Sequence, residues 1–305
     1  MTAVLLALAS ATSYAVATVV GHRAATTTVE EVGRRSLPRT AGRLRRHPGF
    51  LASQLCGALG LALHVAALAT GLLVVVQPLL GAGLVIALAL GAVVDRRHPG
   101  RPLPHRGQWL AAGGVAAGLV FFLTTAAPNA GGEVVHPWVL PASVIGFVLG
   151  AIGVSMRVRS GRSHRPAVAL GVLVGGAFGL TGVLLKATLA LPLTAWPTSW
   201  QAYALLLVGI SGAGLAQWSY AVGPLVQSQP VMTALEPVIA VALAGPVFGE
   251  ALAGGVLAHG VQLLGLALMV AGVWGVSRRD VRNAARPVAP SGPAAPELLC
   301  SPTTS

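Results

Sequence analysis

The chain has 305 residues, 54% of them hydrophobic and only 9% Asp, Glu, Lys or Arg, with 20 basic residues against 8 acidic and a net charge of +12. Soluble domains carry roughly 25% charge, so this composition cannot cover a water-exposed surface, and it is too apolar for a chain that stays disordered. Its apolar stretches are long and continuous rather than short and alternating, which points to a polytopic helical membrane protein and away from a β-barrel.

A membrane-spanning helix needs about 20 mainly apolar residues. Nine runs meet that requirement, at 2–21, 49–68, 71–94, 107–126, 137–156, 167–188, 200–220, 224–247 and 256–276. The first run carries Ala15-Val16-Ala17, a small-residue pattern like a leader cleavage site. No positive charge precedes it and seven arginines follow it, so it reads as a retained helix. The gap at 22–48 holds Arg23, Arg34, Arg35, Arg39, Arg43, Arg45 and Arg46. Four more arginines fall in 95–106, four in 157–166, and four beyond the last run, so 19 of the 20 basic residues lie in alternate gaps. The four other gaps hold none.

Basic loops stay cytoplasmic. With nine crossings all four basic segments share one side, which predicts an outside N-terminus and a cytoplasmic C-terminus in the plasma membrane. An even count destroys that agreement. Trp138, Trp196 and Trp200 then mark outer helix ends, and Trp109, Trp218 and Trp274 inner ones, as interfacial belts do. The basic charge is thus spent on topology, with lipid headgroups as its partner and no nucleic acid implied. Cys56 and Cys300 cannot build a disulfide framework. The proline-rich segment 283–305 reads as a disordered cytoplasmic tail.

The chain also repeats itself. Gly71, Leu73, Val74, Gln77 and Pro78 recur in order as Gly223, Leu225, Val226, Gln229 and Pro230. Gln108 and Gly118 recur as Gln262 and Gly272; Tyr14 aligns with Phe178, and His22 with Lys186. The predicted fold is all-α: a first four-helix repeat in 1–126, a linker helix at 137–156, and a second repeat in 167–276. One intervening helix turns the second repeat over relative to the first, the arrangement of many alternating-access transporters. A duplicated passive scaffold is the plainer alternative.

Gly223-Pro224-Leu225, Leu235-Glu236-Pro237-Val238, Phe248-Gly249-Glu250 and Gln262-x-x-Gly265 with Gly272 resemble the C-terminal half of EamA-type proteins of the drug/metabolite transporter superfamily. The resemblance covers 167–278, and 1–126 more loosely. It implies an inverted-repeat exporter or importer of small molecules. The ten-helix EamA pattern has a second helix where this chain has the basic segment 22–48. Nine helices with Val76-Gln77-Pro78-Leu79 look more like NIPA-type magnesium transporters, so a metabolite and a magnesium ion both stay open as cargo.

Glu236 is the one acidic residue deep inside a run, and a charge there must face protein or water. Helical spacing puts Gln229, Thr233 and Glu236 on one stripe. Pro78, Pro230 and Pro237 each remove a backbone donor and are expected to break or disturb their helices. Lys186, at the outer end of its run, is read either as a pathway residue or as a lysine snorkelling to the interface. His64 is a candidate proton relay; the repeat-related Gln77 and Gln229, with Tyr220, are candidate solute contacts or ties between helices. Glu250, at a helix end, reads as a cap. Phosphate-loop, HExxH and CxxC motifs are missing, so no enzyme, cofactor or ATP-driven pump is expected, and no metal set can be named. The expectation is a secondary transporter of a small molecule or ion, proton- or cation-coupling included, with a homodimer left open. A non-transporting scaffold or partner subunit is the reading from another class.

Overall fold

A computed structural model describes residues 1–32, 46–96, 104, 106–125, 127–129, 136–222 and 225–284. Residues 33–45 of the 22–48 gap, the Gly223-Pro224 pair and the tail from 285 lie outside the described residues, as do the side chains of Gln217, Tyr220, Gln229 and Pro230. The described residues are all-helical apart from two three-residue strands and short connecting turns. In chain order it runs α1 (Thr2–Val32), α2 (Pro48–Thr70), α3 (Leu73–Leu80), α4 (Ala82–Asp95), α5 (Arg106–Thr125), β1 (Ala127–Asn129), α6 (Val139–Arg159), α7 (Pro166–Leu189), a 3-10 turn at Leu193–Thr198, α8 (Trp200–Val222), α9 (Leu225–Phe248), β2 (Ala251–Ala253) and α10 (Val256–Ala284).

A helix lies over each apolar run because in hydrocarbon only a helix satisfies its own backbone. Eight helical stretches are long and apolar enough to cross a membrane, α3 and α4 counting together as one; α8 carries a shorter apolar stretch, Trp200–Ala216, among the described residues. The chain is a multi-pass membrane protein. α7 is the central helix, 61% of its span being buried, whereas α6 stands at the periphery with 6%. The most extensive contacts join α1 to α2, α5 to α10, and α7 to both α8 and α9. The core gathers Leu73, Val74, Val76 and Leu79 of α3 with Leu180, Val183 and Leu184 of α7 and Ala240, Ala244 and Val247 of α9.

Small residues set these distances. A Cβ on Gly118 of α5 would lie 2.4 Å from the Gly265 carbonyl of α10, and one on Gly272 would lie 2.5 Å from the Ala111 carbonyl. Tyr14 packs its ring on Gly60, 2.9 Å from where a Cβ would stand; a Cβ on Gly212 would meet Ala177 Cβ at 2.8 Å, with the Phe178 ring in ordinary contact at 3.5 Å. Such close approaches replace the hydrophobic effect as the source of association where lipid is as apolar as protein.

Two ends of the bundle are distinct. At one, which we term the strand end, β1 and β2 pair antiparallel, Ala127 opposite Ala253 and Asn129 opposite Ala251. At the other, the arginine end, Arg23 of α1 reaches Asp95 of α4 at 2.6 Å, and Arg159 stacks over Trp218 at 5.6 Å.

Three expectations are corrected. α9 runs unbroken through Pro230 and Pro237, and Pro78 lies inside α3, because one missing donor costs a single bond that the surrounding bundle tolerates. The interruption in the third run comes at Gly81, whose N–H bonds the Pro78 carbonyl at 2.9 Å in a tightened turn before α4 resumes. Helix also extends beyond the apolar runs: α1 continues to Val32 and α10 to Ala284, since a helix already nucleated adds residues cheaply where it emerges.

Candidate functional site

The candidate polar groups lie at three depths counted from the strand end. At the strand end, α3 begins with a problem that its own sequence does not solve. Leu72, its N-cap, is extended and has no side-chain acceptor, so the first backbone N–H groups need another partner. Glu250 supplies it. Gly249 takes φ +64°, a left-handed turn that ends α9 and that glycine adopts freely. The next residue, Glu250, is thereby set against α3, where Leu73 N–H donates to Oε1 at 3.1 Å and Val74 N–H to Oε2 at 2.9 Å. A carboxylate at a helix N-terminus also meets the positive end of the helix dipole.

Lys186, in the last turn of α7, completes the cluster. Its ammonium donates to Glu250 Oε1 and to the Gly71 carbonyl at 3.0 Å, and it lies 5.3 Å from the centre of the Phe248 ring. Lys186 therefore turns into the protein rather than snorkelling to the headgroups, and it pairs with Glu250, not with Glu236. The Glu250 side chain has no exposed surface. A charge so enclosed is tolerable because both its oxygens accept hydrogen bonds and one of the three donors is an ammonium.

One to two turns deeper stand Gln77 on α3 and His64 on α2. Gln77 is 2% exposed, and among the described residues neither atom of its amide has a hydrogen-bond partner; His64 Nε2 is likewise buried without one among them. Gly182 of α7 makes room for Gln77, since a Cβ there would stand 2.0 Å from Nε2. Gln262 instead ties α10 to the Thr125 carbonyl at 2.9 Å.

Deepest lie Tyr14 and Glu236, each twelve residues inside the strand end of its helix. At 1.5 Å per residue that is roughly 18 Å, near the middle of a hydrocarbon layer about 30 Å thick. The glycine row of α7 seats this part of α9: a Cβ on Gly175 would stand 2.7 Å from Leu235 Cβ, and one on Gly179 would stand 2.6 Å from the Glu236 carbonyl. Tyr14, reaching from α1, is within electrostatic range of the Glu236 carboxyl. Glu236 has no ion pair or hydrogen bond through its side chain among the described residues, and it keeps accessible surface rather than being sealed off. Thr233 lies one turn away on α9 and is itself engaged.

Thus Glu236 and Thr233 share α9, with Tyr14 of α1 within electrostatic range of Glu236; Gln77 and His64 occupy the layer above, and Lys186 belongs to the strand-end cluster. Gln229 and Tyr220 have side chains outside the described residues. No three His, Cys, Asp or Glu residues come together among the described residues. The contact of Arg23 with Asp95 had no signal in the sequence beyond two opposite charges at the ends of different runs.

No family model matches the chain, and no solved structure matches it. An uncharacterized protein of Corynebacterium glutamicum is 32% identical over 254 residues, which cover 81% of this chain and 85% of that protein. The chain belongs to the family of that corynebacterial protein. Identity over so much of both chains takes in the greater part of the bundle, and not one helical half alone.

Proposed function

We propose that this protein is a secondary transporter of the drug/metabolite superfamily type, moving a small solute across the plasma membrane by alternating access, with Glu236 as the solute- or proton-binding group. The observation that carries the reading is the Glu236 carboxyl at mid-bundle, unpaired among the described residues, accessible, and within electrostatic range of Tyr14 of α1. An intramembrane carboxyl without a structural partner is costly and is kept where it meets a cation or a proton.

The reading includes nine crossings, an outside N-terminus and inverted repeats in 1–126 and 167–276. Contacts of the two proposed halves support it by recurring in pairs. α1 on α2 is matched by α7 on α8. Tyr14 on Gly60 is matched by Phe178 on Gly212, and Gly118 against Gly265 by Gly272 against Ala111. Arginines of the described chain gather at one end of the bundle, which the proposal takes as the cytoplasmic face.

The test is flux. Proteoliposomes containing a trapped pH dye are challenged with a panel of organic cations, amino acids and magnesium chloride, with and without an imposed pH gradient. A transporter gives protein-dependent accumulation of at least one compound, and Glu236→Gln abolishes it while the protein stays monodisperse. Accumulation that is untouched by Glu236→Gln moves the site elsewhere. No flux for any compound in the panel favours a scaffold.

A further inference from the structure

α5 has two unlike faces. Gly107, Gln108, Ala112 and Val115 are buried on the side that packs against α10, the partner with which α5 shares its most extensive contact. Arg106, Trp109, Leu110 and Gly113 follow one another at i, i+3, i+4 and i+7 and so share the opposite side. These four residues border an open depression of about 530 Å³ at the arginine end of the bundle. Trp109 is 42% and Leu110 76% exposed, and an added Cβ at Gly113 would meet nothing within 4 Å.

The lining changes character with depth. Arg106 opens α5; Trp109 lies about 4.5 Å farther along the helix axis and Gly113 about 10 Å farther, at 1.5 Å per residue. A cation, then an amphipathic ring, then an apolar recess is the order in which a phospholipid presents its phosphate, its glycerol region and its acyl chains. The cation is also uncommitted. Arg23 is held by Asp95 and Arg159 lies over Trp218, whereas the Arg106 guanidinium is exposed and makes no hydrogen bond, ion pair or ring contact among the described residues. With a net charge of +12, the chain must draw the anion for it from outside.

We propose that this depression seats one anionic phospholipid, its phosphate on Arg106, its glycerol region against Trp109 and one acyl chain laid along Leu110 into the space at Gly113. Arginine meets a phosphate through two parallel N–H groups, basic recesses beside membrane helices collect anionic headgroups, and tryptophan rings rest at headgroup level. A soluble anion would engage Arg106 and leave the apolar lining unused; a zwitterionic lipid would fill the recess without supplying net negative charge. The lipid braces the outer side of a helix whose inner side bears on α10, so its binding stabilises the folded bundle. Glu236 and Tyr14 take no part, and the site stands whether or not a solute is carried.

The test uses the full chain, purified in an uncharged detergent and washed free of lipid. It is incubated with phosphatidylglycerol, with phosphatidylcholine of the same acyl chains, or with glycerol phosphate, the headgroup without chains. Bound lipid is counted by mass spectrometry of the intact protein, and the unfolding midpoint is read in parallel. The wild type is expected to retain phosphatidylglycerol in about fivefold preference to phosphatidylcholine, the worth of one basic residue at an anionic surface, and to unfold at a higher temperature with it. Arg106→Gln is expected to abolish the preference. Gly113→Leu fills the recess but keeps the charge, and is expected to lower retention of both lipids. Arg162→Gln, which removes another exposed arginine at the same end, is expected to change neither readout. A preference that survives Arg106→Gln, or that Arg162→Gln removes equally, reduces the effect to general surface charge and overturns the proposal. Equal stabilisation by glycerol phosphate makes this a soluble-anion site and overturns it too, as does retention unchanged in Gly113→Leu. A lipid-free dimer that Gly113→Leu dissociates would show that a second copy, not lipid, covers this side. If Arg106→Gln yields no folded protein, Gly113→Leu and the glycerol phosphate arm decide by themselves.

Discussion

Lys186 pairs with Glu250, 64 residues on, and not with Glu236, the acid at mid-membrane. The pairing leaves Glu236 without a counter-charge among the described residues and gives Glu250 three donors. Glu250→Gln is therefore expected to destabilise the fold strongly, by about 3–5 kcal/mol, the usual penalty for breaking one side of a buried ion pair. Thermal unfolding in detergent measures it. The double variant Lys186→Met with Glu250→Gln should lose less than the sum of the single variants, because neither charge is then left buried alone.

Helix contact between α5 and α10 gives a second expectation. Gly118→Ala and Gly272→Ala each drive a methyl into a backbone carbonyl, at 2.4 Å and 2.5 Å. Backbone cannot swing aside as a side chain can, so each should cost about 1–3 kcal/mol. The two losses should be alike. Gly113→Ala, on the same α5 but with nothing within 4 Å of the added atom, should be neutral or slightly stabilising. Unfolding midpoints of the three variants in one detergent decide the matter.

At mid-bundle, Tyr14→Phe removes a hydroxyl but keeps the ring that fills the Gly60 notch. Folded yield should hold, while solute flux falls severalfold. Glu236→Gln should reduce flux by at least a factor of about ten, as expected of an interaction worth 1.4 kcal/mol or more. Gly60→Ala is the opposite test: it displaces the Tyr14 ring and should reduce both flux and stability.

Orientation is checked by labelling single cysteines in intact cells. Asn129→Cys, in β1 beside β2, should react with an impermeant maleimide applied outside, and Ser36→Cys should react only after permeabilisation. Reaction of Ser36→Cys from outside, with Asn129→Cys protected, reverses the proposed topology.

Much of the fold was legible because hydrocarbon leaves few options. Length and apolarity put α2 at Pro48–Thr70 and α7 at Pro166–Leu189, within two residues of the runs at 49–68 and 167–188. The prolines misled, since Pro237 is accommodated in an unbroken α9 while the third run is interrupted at Gly81. The site was legible in depth but not in direction. Position along a run places Glu236 and Tyr14 near the middle, yet which side of a uniformly apolar helix faces inward has no signature when both faces are hydrophobic. For that reason Lys186 could be read as a snorkelling lysine. Only the packing of α7 on α9, through Gly175 and Gly179, reveals that it is aimed at Glu250.

α6 carries little of this packing, with 6% of its span buried and its chief neighbour α7. Its value to the molecule is then one of parity. In the proposed nine-crossing arrangement a single added crossing turns the second set of helices over, and the approaches of Gly118 to Gly265 and of Gly272 to Ala111 are compatible with that sense. A helix with that duty is nearly free in sequence provided that it crosses. It also marks where the polypeptide can be cut, because two chains produced separately on either side of it already carry the surfaces by which they recognise each other.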